Sequence, residues 1–105
     1  MAIKILAGKN IEVNDEGFLL NPNDWDENVA IELAKDEGIS ELTEKHWQVI
    51  RFMRQDFKEK GVIPTIRRIK NASGVSVQDL YALFPEGPAK KAAKIAGLSK
   101  PQGCI

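Results

Sequence analysis

Apolar residues fall at alternate positions in Ile3 and Ile5 and again in Ile11 and Val13, on either side of the turn signal Gly8-Lys9-Asn10. A period of two around a glycine turn predicts two short strands. Asn14-Asp15-Glu16-Gly17 is a second turn signal, followed by Phe18-Leu19-Leu20. A small antiparallel hairpin or three-stranded patch is expected, closed by Asn21-Pro22-Asn23-Asp24.

Beyond it the period changes to that of a helix. A first helix is predicted over 26–37, capped by Asp24 or Asp26, with Val29, Ile31, Leu33 and Ala34 as apolar positions and Gly38 as its stop. Trp47, Ile50, Met53 and Phe57 recur at steps of three and four, widened by Val49 and Phe52. They predict a long helix over 44–60, capped by Thr43, with these side chains as core. Three shorter helices are expected: 66–72 after Pro64-Thr65, a fourth from Ser76 to Phe84, and 88–96 after Gly87-Pro88. The fold class is α+β and mostly helical, with a small N-terminal hairpin and about five helices. Pro101 and Gly103 oppose regular helix after Gly97. The expected division is a domain over 1–97 and a C-terminal arm over 98–105.

At 105 residues, with 43% hydrophobic and 29% charged residues, the chain suits one soluble domain that needs neither disulfides nor metal. A single cysteine allows no intrachain disulfide. With no apolar run of membrane length and no signal peptide, a cytoplasmic location is expected. The formal charge is zero, but residues 1–45 carry −7 and the rest +7. Such halves either attract each other across the fold or steer charged partners.

Metal chemistry has little support, since the chain has one histidine, His46, and one cysteine. No cofactor is expected. Attention falls on Cys104, the penultimate residue. A lone cysteine is usually a small buried hydrophobe, but this one lies beyond a helix stop, a proline and a glycine. Seven steps from Gly97 could carry its thiol up to ~23 Å. Gly103 beside it lets a partner approach the backbone closely. Positive charge favours the nucleophilic thiolate, and Lys100 and Arg67 are the candidates for that environment. Arg67, at the start of the third helix, is the residue expected to meet a folded-back arm.

Residues 65–84 also have the order of a helix-turn-helix, with Gly74 in the turn. The second of these helices carries Asp79 and neither lysine nor arginine. Its charge argues against direct binding of nucleic acid, although a DNA-binding regulator is kept as an alternative.

The stretch Leu83-Phe-Pro-Glu-Gly-Pro-Ala-Lys-Lys-Ala-Ala-Lys-Ile-Ala-Gly-Leu-Ser-Lys-Pro-Gln-Gly-Cys-Ile resembles the close of the DsrC/TusE family of sulfur-relay proteins. Glu37-Gly38-Ile39, His46, Pro64, Ile66, Arg67, Trp25 and the run Asp15 to Leu19 extend the resemblance over nearly the whole chain. It implies that Cys104 accepts sulfane sulfur as a persulfide from an upstream donor protein and passes it to an acceptor enzyme. In the TusE branch the sulfur goes towards 2-thiolation of tRNA, through a thiouridylase. The DsrC branch serves dissimilatory sulfite reductase, in sulfite reduction or sulfur oxidation, and its members carry a second cysteine where this chain has Ala93. That difference implies a single-cysteine, TusE-like carrier. The short link from Lys70 to Val77 is closer to the DsrC branch.

Overall fold

The computed structural model describes residues 2–100. Strands β1 (Ala2–Leu6) and β2 (Lys9–Val13) form a two-stranded antiparallel sheet with Leu6 opposite Lys9 and Ala2 opposite Val13. The turn falls on Ala7 and Gly8, both at positive φ (52° and 77°). This is one residue earlier than the glycine alone suggests, because a two-residue hairpin needs a left-handed backbone at both central positions. Leu6, Ile11 and Val13 are buried on the inner face, and Ile3 and Ile5 are exposed on the outer one. In place of a third strand there is a single bridge from Val13 to Leu19.

Five helices follow: α1 (Glu27–Asp36), α2 (Glu44–Lys60), α3 (Ile66–Ser73), α4 (Val77–Leu83) and α5 (Pro88–Ile95). The first four are capped by side chains, from Asp26, Thr43, Thr65 and Ser76 respectively. Each cap satisfies an amide that the first turn leaves free. In α1 the buried stripe is Val29, Ala30, Leu33 and Ala34, while Ile31 faces outward. The observed steps of one and four follow the helical period more closely than the alternate spacing of Val29, Ile31 and Leu33. In α2, Val49, Ile50 and Met53 are fully buried, and Trp47, Phe52 and Phe57 pack on the core from its edge.

Helix α5 packs against α1, α2 and α4. Ala89, Ala92 and Ala93 on its buried face are small enough to let these neighbours approach closely. The acidic and basic halves of the chain do attract each other. Glu27 pairs with Arg51, Glu37 with Lys94, and Glu16 with both Lys90 and Lys100. No helix among the described residues is long and apolar enough to cross a membrane.

Candidate functional site

The arm leaves the domain at the end of α5, where every backbone carbonyl from Ala92 to Ala96 is occupied. Gly97, at φ 74°, turns the chain left-handed. Its amide donates to the Lys94 carbonyl (3.1 Å), and the Leu98 amide to that of Ala93 (2.9 Å). This is the glycine-dependent closure common at helix ends. The Ala96 amide meets the Ala92 carbonyl at 2.8 Å. The two remaining carbonyls receive side chains from distant parts of the chain. The Trp25 indole N–H donates to Ile95 at 2.8 Å, and the Arg54 guanidinium to Ala96 at 2.8 Å.

Arg54 lies over the Trp25 ring, 4.2 Å from its centre, and also donates to the Pro22 carbonyl at 3.2 Å. Burial lowers its pKa from the ordinary arginine value, since desolvation disfavours the charged form. No carboxylate among the described residues pairs with it; its acceptors are two neutral carbonyls, and one of them, that of Ala96, lies at the negative end of the α5 dipole. Leu98 then enters the core, and Ser99 and Lys100 are exposed. An open groove of about 660 Å3 runs beside this corner, with Trp25, Arg54, Phe57 and Leu98 among its walls.

Lys100 is paired with Glu16 at 3.0 Å, and Lys90 reaches the same carboxylate at 3.3 Å. Glu16 is presented by a turn in which the Asn14 side chain accepts the amides of Glu16 and Phe18. The lysine bonds, that of Lys100 foremost, hold the Glu16 carboxyl below its ordinary pKa. Ser99 and Lys100 also border a smaller cleft, about 260 Å3, whose opposite wall is Phe57 and residues 61–63 of the α2–α3 connection.

Arg67 lies four residues beyond that cleft, in the first turn of α3. Helix α3 is oriented by buried Ile69 and by Arg68, whose guanidinium bonds the buried Asp56 carboxylate at 2.8 Å. With Ile69 turned inward, Arg67 is left exposed. Among the described residues Arg67 has no ion pair, and neither do Lys58, Lys60 and Lys70. Of the two cations expected around the thiol, Lys100 is engaged by Glu16 and Arg67 is not paired among the described residues. Gly103 and Cys104 lie outside the described residues.

His46 has a structural place. Its Nδ1 accepts the Thr43 amide (3.0 Å) and its Nε2–H donates to the Leu83 carbonyl (2.9 Å), tying the start of α2 to the end of α4. The ring also meets Phe84 edge-on, with centroids 5.2 Å apart. No cluster of three or more histidine, cysteine or acidic side chains that could hold a metal occurs among the described residues.

Residues 5–105 match the DsrC family model, described as "DsrC like protein". The chain belongs to this family. Sulfurtransferase TusE of Photorhabdus laumondii subsp. laumondii is 46% identical over 112 residues, with all of both chains aligned. The dissimilatory-type sulfite reductase subunit gamma of Nitratidesulfovibrio vulgaris is 38% identical over 105 residues, again over all of both chains. The solution structure of DsrC from Allochromatium vinosum has a TM-score of 0.86 at 41% identity, covering 98% of this chain and 97% of that one. The family resemblance of the closing motif thus holds from end to end. Sequence reasoning passed over two residues of the arm's root, Arg54 and Glu16. Arg54 had one signal, a cation next to Met53 on the edge of an apolar stripe. Glu16 had only its place in a turn.

Proposed function

We propose that the chain is a sulfur carrier, with Cys104 as the atom-bearing residue. The observation that carries this reading is positional: the chain's one thiol lies in the family's closing motif, six residues beyond Leu98, the last core residue among the described ones. Relatives named sulfurtransferase TusE support it over 98% or more of their length.

The chemistry needs a thiolate and no net redox change. Cys104 thiolate attacks the outer, sulfane sulfur of a donor persulfide. The donor S–S bond breaks, a new S–S bond forms on Cys104, and the donor leaves as a thiolate. The mirror step hands the sulfur to the acceptor and regenerates the Cys104 thiolate. Arg67 is exposed with its charge uncommitted among the described residues, so it is free to favour the anionic thiolate or persulfide when the arm comes near. Lys100 adds positive charge four residues before the thiol, and Gly103 leaves space for a partner. A reducing cytoplasm keeps such a thiol available.

The acceptor that fits best is a thiouridylase-type enzyme of tRNA. Ala93 is fully buried against the core and offers no sulfur for a bridge to Cys104. That absence weighs against the two-cysteine chemistry of a sulfite-reductase partner. Direct DNA reading fits less well: α4 has no cation, and its Asp79 is occupied by Lys45 at 3.0 Å.

Incubation with a persulfidated donor and intact-mass measurement tests the carrier. The mass should rise by one sulfur in the native chain and stay unchanged in Cys104→Ser. Sulfur retained by Cys104→Ser would falsify the assignment. Arg67→Ala should slow loading about tenfold at neutral pH, with recovery at higher pH as the thiol ionises unaided.

A further inference from the structure

We propose that Trp25 and Arg54 are positioning residues for sulfur delivery. They fix the direction in which the arm leaves the domain, and so where Cys104 can be presented. The proposal rests on the carrier reading of Cys104 and adds a control point far from it in sequence.

The end of a helix normally leaves its last carbonyls to water. Here Trp25 and Arg54 supply the two donors that the closing turn at Gly97 does not, to Ile95 and Ala96. Fraying of the α5 terminus would break both bonds and leave the desolvated guanidinium only the Pro22 carbonyl as acceptor. The arrangement also excludes alternatives sterically. A Cβ at residue 97 would lie 2.4 Å from Trp25 Cδ1, so indole and backbone are in direct apposition. Arg54 stacks on the same ring and is anchored through Pro22 to the segment that carries Trp25. Indole, guanidinium and α5 terminus form one unit, with Leu98 as its plug.

Leverage makes this matter for transfer. Six residue steps separate Leu98 from Cys104, a span of at most about 20 Å over which a change of exit direction at Gly97 is passed on, while group transfer is sensitive to placement within ~1 Å. Arg54 suits the task better than lysine, because its planar fork serves two carbonyls and an aromatic face at once.

The test uses Arg54→Met, Arg54→Lys and Trp25→Phe in the full chain, with circular dichroism confirming the fold. A nitroxide on Ser99→Cys, in a Cys104→Ser background, reports motion at the arm's root. Delivery is followed in chains that retain Cys104, as sulfur transfer to the acceptor enzyme. Removal of the same sulfur by cyanide, which needs no docking, serves as control. Arg54→Met and Trp25→Phe should mobilise the label and lower kcat/KM for transfer about tenfold, with cyanolysis unchanged and Arg54→Lys intermediate. A folded Arg54→Met variant with native label mobility or native transfer overturns the proposal, as does an equal loss in cyanolysis. Failure of the native chain to take up sulfur at all is a different result and removes the carrier reading instead.

Discussion

Distant parts of the chain hold the root of the arm at two places, and the two holds are physically opposite. At Trp25 and Arg54 the contact is half-buried, its acceptors are neutral carbonyls, and it is locked by an indole against a glycine. At Glu16 the contact is an exposed carboxylate between two lysines. The first depends on shape and desolvation and is indifferent to salt. The second depends on charge at the surface, where such pairs contribute little and are screened. A carrier gains from that division. One hold sets where the arm begins, and the other biases its first exposed residues in a way that a charged partner can undo.

The comparison can be broken most forcefully at Gly97. Gly97→Ala puts a Cβ into the Trp25 ring and forces a non-glycine residue to φ 74°. Backbone strain and overpacking together should cost about 3–4 kcal/mol, read as a lower denaturation midpoint with unchanged slope. A native-like midpoint would show that the indole yields easily and that the root is not rigid. Leu98→Ala comes next. Removing a fully buried side chain beside the groove should cost about 2–3 kcal/mol in the same measurement. A loss well under 1 kcal/mol would place the boundary of the cooperative domain before Leu98.

Much of this was legible from the chain alone, for reasons that differ by element. All five helices announced themselves through caps and stops, because Asp26, Thr43, Thr65, Ser76 and Pro88 act locally on the next few amides. The hairpin turn was displaced by one residue because Ala7 accepts a left-handed backbone, a choice that strand pairing makes and composition does not show. The root of the arm was harder to foresee. Trp25 and Ile95 are 70 residues apart, and Arg54 and Ala96 are 42 apart. No periodicity links an indole in a loop to a carbonyl at a helix end. The attraction between the two halves of the chain could be anticipated from net charge, but not the choice of Glu16 for Lys100. Arg67 was picked for its position after Pro64; its exposure follows from Arg68 taking Asp56, which is a tertiary fact.

The smallest expected effect sharpens the other side of the comparison. Because Lys100 and Lys90 bond its carboxylate, Glu16 titrates below its ordinary value of 4.5 in the folded chain. The sign follows from linkage: a carboxyl with a depressed folded pKa contributes stability that is complete above the unfolded value and is lost as pH falls through the folded one. At neutral pH the link is therefore intact, and acid opens it as pH falls through the lowered folded value. Carbon-detected NMR titration of the Glu16 side chain should give a midpoint below 4.5 at low salt, moving up towards it as salt is added. Lys100→Gln should have a similar effect, and Glu16→Gln should leave the denaturation midpoint within error. A Glu16 midpoint at or above 4.5, or one that ignores salt, would mean that the lysines do not hold this carboxylate in solution. The arm would then be governed from Trp25 and Arg54 alone.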